Sequence, residues 1–203
     1  MRIFKNILFV LLALSLVCFF VGCSNPSGGG SDTPVVDTPD DDNVSDGGND
    51  SGESVTVNAV WNFTTQPAGM PTDDSASNAL QDLEIDPTSG EGATLKATGR
   101  MKWSTGYIQA QASSGVTVAD AVDCNKWLEL TLAGDATVEI IYQGAGASDA
   151  KRYLAIVKGN DVLEKSAAEG IASGTDIKME KELTAGTYKI MFNGARIYSI
   201  TTK

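Results

Sequence analysis

Histidine is absent from the 203 residues, and cysteine occurs only three times, at Cys18, Cys23 and Cys124. Without an imidazole there is no Ser-His-Asp or Cys-His machinery, no histidine-ligated zinc or haem, and no imidazole base near neutral pH. Positive charge is also scarce: 15 basic residues face 26 acidic ones, for a net charge of −11 and a pI near 4.3. That balance argues against nucleic acid as a partner, because a binder needs a basic face to neutralise phosphates. A Gly-rich phosphate loop, a Gly-x-Ser-x-Gly elbow and a metal-spaced cysteine pair are likewise missing. These absences favour binding over catalysis.

The charge is unevenly spread. Arg2 and Lys5 precede an apolar run from Ile7 to Val21, broken only by Ser15. At about 15 residues the run is shorter than the roughly 20 a bilayer span needs, so residues 1–22 read as a signal peptide. The run ends at Phe20-Val21-Gly22-Cys23-Ser24, which resembles a bacterial lipobox. The resemblance implies cleavage before Cys23, lipidation of its thiol, and a place on the outer membrane or cell surface of a bacterial envelope. The membrane would be met through the lipid anchor alone. A plain secretory signal with an incidental cysteine is the alternative.

Residues 24–54 are mainly Ser, Gly, Pro, Asp and Asn, with three valines, no aromatic residue, eight acidic groups and no basic one. Such a segment cannot bury enough apolar surface to offset its chain entropy and is expected to be a disordered tether, roughly 30 Å in root-mean-square span. Asp40-Asp41-Asp42 lacks the ligand spacing of a calcium loop. Residues 55–203 then hold 13 basic and 18 acidic groups, net −5. The acidity belongs mainly to the tether.

Residues 55–203 are predicted to form one all-β domain, an antiparallel β-sandwich or jelly roll, because their hydrophobic period is two. Val55 to Phe63, Leu95 to Trp103, Leu128 to Leu132 and Val138 to Tyr142 alternate apolar and polar residues. Tyr153–Val157 is continuously apolar, as expected of a strand buried on both faces. Ile177 to Leu183, Tyr188 to Phe192 and Ile197 to Ile200 add further strands. Asn193-Gly194 is a strong hairpin signal, with further turns at Gly159-Asn160-Asp161 and at Gly134-Asp135, the latter joining the Leu128 and Val138 strands. Short helices are predicted only at Ser75–Leu83 and Val118–Val122. Cys124, with no histidine to activate it, reads as a buried structural thiol.

Asp82, Glu84 and Asp86 alternate, with Asp73 and Asp74 nearby. They are open to three readings: a solvated acidic loop, a structural calcium site, or paired carboxylates for glycoside hydrolysis. No cofactor beyond that calcium is implied, and a monomer is expected. The aromatics are more specific. A sugar ring stacks its CH face on an aromatic plane while its hydroxyls bond to polar side chains. Trp103 and Tyr107 flank a Ser-Thr-Gly turn, with Arg100 and Lys102 close by, and Asp149, Lys151 and Arg152 follow a Gly-Ala-Gly-Ala-Ser loop. Trp61 reads as core, whereas Trp127 points away from its strand's leucines.

Three segments also resemble the small β-sandwich modules attached to bacterial pectate lyases and other secreted polysaccharide-degrading enzymes. They are Val60-Trp61-Asn62-Phe63; Leu128–Thr131 with Val138–Ile140 and Gly146–Arg152; and Leu183–Ile190 with Arg196–Ile200. The resemblance implies a non-catalytic, galactose-binding-like module with a polysaccharide ligand. On this reading Trp103 or Tyr107 stacks on the sugar, and Asp149, Lys151, Arg152 and Arg196 bond to hydroxyl or uronate groups. A protein-interaction or scaffold lipoprotein is the rival, and it predicts an exposed apolar patch or bare sheet edge instead.

Overall fold

The computed structural model describes residues 55–73, 75–112 and 117–203; the signal peptide, Cys23, the tether and Asp74 lie outside them. Among the described residues, twelve strands form two six-stranded antiparallel sheets packed as a sandwich. Sheet I holds β1 (Val60–Asn62), β4 (Met101–Ser104), β5 (Tyr107–Ala110), β7 (Ala136–Gly144), β10 (Ile177–Leu183) and β12 (Ala195–Thr202). Its order is β10-β7-β12-β5-β4, and β1 also pairs with β12. Sheet II runs β2 (Leu80–Ile85), β3 (Ala93–Gly99), β6 (Trp127–Leu132), β11 (Gly186–Asn193), β8 (Tyr153–Lys158) and β9 (Asp161–Lys165).

Alternation does the sorting. Along β7, Ala136, Val138, Ile140 and Tyr142 are buried, while Thr137, Glu139, Ile141 and Gln143 face out. The inward residues of both sheets meet in one core that includes Trp61, Phe63, Leu95, Ile108, Leu130, Ile140, Ile156 and Phe192. Each such side chain contributes about 1.5–3 kcal/mol on burial. The Trp61 indole stays satisfied inside by donating to the Ile85 carbonyl at 2.9 Å. On β8 the continuous apolar run is buried on both faces. Leu154 and Ile156 enter the main core; Tyr153, Ala155 and Val157 form a second cluster with Met191, Ala121 and Cys124 outside sheet II. The 3₁₀ turn Val118–Asp123 packs against β8 there, one residue longer than predicted. Cys124 is buried, and its thiol donates to the Lys126 carbonyl.

Three sequence expectations need correction. Leu95 to Trp103 is not one strand: the chain leaves sheet II at Gly99 and enters sheet I at Met101. Gly99 has φ +99°, and a Cβ there would lie 2.3 Å from the Asn125 carbonyl oxygen, so only glycine fits the corner. Asn193-Gly194 does not close a hairpin, because β11 belongs to sheet II and β12 to sheet I. The Gly134-Asp135 turn joins the Leu128 and Val138 strands as expected, passing from β6 in sheet II to β7 in sheet I. Gly159-Asn160, by contrast, joins the paired strands β8 and β9. Finally, Ser75–Leu83 is not a helix. Ala76–Asn78 makes a single 3₁₀ turn, and the chain from Leu80 becomes an edge strand whose Leu83 packs on the core.

Candidate functional site

The outer face of sheet I carries a row of polar side chains set by strand register. Lys102 on β4 opposes Gln109 on β5, Gln109 opposes Arg196 on β12, and Arg196 opposes Gln143 on β7. Their chain neighbours Met101, Ile108, Ala110, Ala195, Ile197 and Tyr142 are buried, so alternation turns the row outward. Neighbours in the row are spaced by about 4.8 Å, the strand separation.

Arg196 is the centre of the row. Its guanidinium carbon lies 5.0 Å from the centroid of the Tyr107 ring, and its Nε donates to Gln109 Oε1 at 3.3 Å. Tyr107 in turn meets Tyr198 edge-on, with centroids 5.5 Å apart and planes at 62°. Tyr198 follows Arg196 at the same parity of β12, at the point where the strand shifts register between Ile197 and Ser199. Gln143 is held rigid: its Nε2 donates to Asp176 Oδ1 at 2.7 Å, and its Oε1 accepts the Gly174 N–H at 3.1 Å.

Among the described residues, ion pairs involve Lys96, Lys178, Lys181 and Lys203, and neither Lys102 nor Arg196 has a carboxylate within ion-pair distance. Elsewhere on the same face the charges neutralise one another. Lys178 bonds Glu180 at 2.9 Å and Lys203 bonds Glu139 at 3.0 Å. The Glu180 bond raises Lys178 above the usual lysine value and the Lys178 bond lowers Glu180, while the Glu139 bond raises Lys203. Carboxylates stand close to the row without pairing with its cations: the Lys102 charge helps lower Asp73, and Asp176 is held by Gln143.

Of the residues chosen from sequence, the fold brings Tyr107 and Arg196 together. Trp103 is partly buried, packed on the core, and donates its indole N–H to the Phe63 carbonyl at 2.8 Å. Asp149, Lys151 and Arg152 form a separate loop. The Asp149 carboxylate accepts the Lys151 N–H at 2.9 Å, and Arg152 donates to the Ala147 carbonyl. Arg152 lies against Gly146 and Gly194, where added Cβ atoms would come within 3.0 and 2.8 Å of its side chain. Trp127 joins the second apolar cluster and has Lys189 Nζ 4.2 Å from its ring centroid.

Gln109, Gln143 and Tyr198 were missed from sequence. Tyr198 and Arg196 share one parity along β12 and Tyr107 and Gln109 share one along β5, a weak signal that alternation offers. Their juxtaposition needs the register, which the sequence does not print.

The acidic set is scattered. Asp82 takes φ +48° at a register shift in β2, where its Oδ1 accepts the Thr98 hydroxyl at 2.9 Å. Glu84 pairs with Lys96 at 3.6 Å. Asp73 accepts from the Ser75 N–H and from Asn78, which holds its carboxyl below the usual value. Among the described residues, no group of three or more Asp, Glu, Cys or His side chains stands close enough to hold a metal. A hollow of about 160 Å³ lies beside β2, lined by Trp61, Phe63, Pro67, Glu84 and Asp86 among others.

No protein-family model matches the chain, and no curated protein matches it. Among solved structures the chain is similar to a family 35 carbohydrate-binding module from an environmental isolate. The identity is 13% and the TM-score 0.28, over 71% of this chain and 91% of that one.

Proposed function

We propose that residues 55–203 form a non-catalytic glycan-binding module, held on a bacterial envelope by lipid on Cys23 and presented on the 24–54 tether. The ligand is a uronate-containing polysaccharide, and its seat is the Tyr107–Arg196 face of sheet I. One observation carries this reading: a guanidinium stacked on an exposed-face tyrosine, oriented by Gln109, with no carboxylate of the described residues within ion-pair distance. An arginine in that state offers planar donors to a carboxylate, the geometry that favours bidentate bonds. The Tyr107 and Tyr198 rings supply apolar surface for the sugar's CH face. Gln143, pinned by Asp176 and Gly174, adds fixed amide groups for hydroxyls.

The rival, a protein-docking lipoprotein, has less support. The exposed large apolar side chains among the described residues are three valines, Val55, Val122 and Val162. That is little surface against the few hundred Å² of an apolar docking patch. Affinity electrophoresis separates the two. The mature chain should be retarded in gels containing polygalacturonate and less so in neutral xylan or β-glucan. Unchanged mobility in all three would remove the glycan reading.

A further inference from the structure

Lys126 is an ammonium inside the protein, with the residue 4% exposed. It precedes β6 in sheet II, yet its bonds reach the segments that carry the binding face in sheet I. Its Nζ donates to the carbonyl of Gln111, just beyond β5, at 3.0 Å, and to Asn193 Oδ1 at 3.0 Å. Asn193 is 1% exposed, and its Nδ2 donates to the Lys151 carbonyl at 2.8 Å. One residue further on, Gly194 turns the chain into β12 and Arg196. The backbone beside Lys126 is equally constrained: a Cβ on Gly99 would sit 2.9 Å from the Lys126 Cα, and the Lys126 carbonyl accepts from the Cys124 thiol and the Phe192 N–H.

The end of β5 and the entry to β12, which carry the binding face, therefore meet on one side chain, and Asn193 joins the separate 149–152 loop to them. Packing alone does not call for an ammonium there. Removing a charge from water is costly, and an apolar side chain of similar volume often stabilises as well or better. What a cation supplies that a methionine cannot is direction, because its donors fix where the Gln111 carbonyl and the Asn193 amide must lie.

We propose that Lys126 is the positioning residue of the binding face, setting the placement of the Tyr107–Arg196 platform relative to Lys151 and Arg152. The inference rests on the glycan reading for its functional consequence and on geometry alone for its structural one.

The test compares wild-type mature chain, Lys126→Met and Asn193→Leu by thermal unfolding, by backbone amide spectra and by polygalacturonate titration. Lys126→Met should still unfold cooperatively, at a lowered midpoint because the Gln111 carbonyl and Asn193 Oδ1 lose their donor. Its amide signals should move at Gln109, Gln111, Lys151, Arg152 and Arg196, and its polygalacturonate affinity should fall about tenfold because the contact residues lose their support. Asn193→Leu, which removes the bonds to Lys126 and to Lys151 but leaves the Lys126–Gln111 bond, should move Lys151 and Arg152 and leave Gln109 in place; it decides the matter if Lys126→Met does not fold. Amide signals unchanged in these segments, or displaced evenly through both sheets, would overturn the proposal. If wild-type chain binds no polygalacturonate, the glycan reading fails, and the amide pattern alone decides the role of Lys126.

Discussion

Arg196 lies across the ring of Tyr107, with its guanidinium carbon 5.0 Å from the centroid, and the two residues sit diagonally on the adjacent strands β12 and β5. The pair is half-exposed, so a cation–π contact of this kind contributes on the order of 1 kcal/mol or less to folding. Arg196→Ala should therefore leave the unfolding midpoint within a few degrees of wild type. Polygalacturonate binding should weaken about tenfold or more, because the charge-assisted contact is gone. Isothermal titration beside a melting curve reads both quantities, and equal affinity in the variant contradicts the assignment.

Salt gives an independent check on the same charges. Raising ionic strength from about 0.05 to about 0.5 M shortens the Debye length severalfold and should weaken wild-type binding to polygalacturonate. The double variant Lys102→Ala/Arg196→Ala should show a much flatter dependence. Parallel salt slopes in the two proteins would mean that the ligand's charge is read elsewhere.

Trp103 behaves differently from Tyr107. Its indole N–H satisfies the Phe63 carbonyl at the margin of the core. Trp103→Phe should cost about 1–3 kcal/mol in urea unfolding, the penalty of leaving a partly buried carbonyl unpaired. Ligand affinity should stay within about twofold, since Trp103 packs on the core and bonds the Phe63 carbonyl. A stable variant that no longer binds would restore Trp103 to the ligand site.

These contrasts show what the sequence could and could not reveal. Strand faces were legible, because Val138, Ile140 and Tyr142 alternate with polar residues and Tyr153–Val157 does not alternate at all. The sheet each strand joins was not. A glycine at Gly99 or Gly194 reports a backbone conformation, and that conformation serves a corner between sheets as readily as a hairpin. Trp103 was chosen as a ligand residue for its type, although it shares parity with Leu95 and the buried Met101, which turns it inward. Arg196 and Gln109 are 87 residues apart, and only the β5–β12 pairing makes them neighbours.

The alkaline limb of stability should carry the signature of Lys126. Burial lowers its ionisation below the ordinary 10.5; Cys124 opposes that shift and Arg100 adds to it. Between that lowered value and pH 10 the unfolded chain keeps a proton the folded chain has released, so stability rises with pH. Tyr142 acts in the opposite sense above pH 10, because burial, with help from Glu164, raises its value and the folded chain then holds the extra proton. Denaturant melts between about pH 8 and about pH 11 should show the rise in wild type and lose it in Lys126→Met. A rise that persists in the variant assigns the effect to another group.

The anchor is tested in cells. Cys23→Ser should move the protein from the membrane fraction to the soluble envelope or medium and abolish incorporation of labelled palmitate. Labelling that survives the substitution removes Cys23 as the lipidated residue.

The central claim is that a uronate chain lies on the outer face of sheet I. The most direct measurement is an amide-resolved titration of residues 24–203 with oligogalacturonate. The account predicts saturable shifts concentrated at Lys102, Tyr107, Gln109, Gln143, Arg196 and Tyr198, with the Thr94, Thr131 and Thr187 amides of sheet II unmoved. Shifts gathered on sheet II or beside the Trp61 hollow, or no shifts at all, would contradict it.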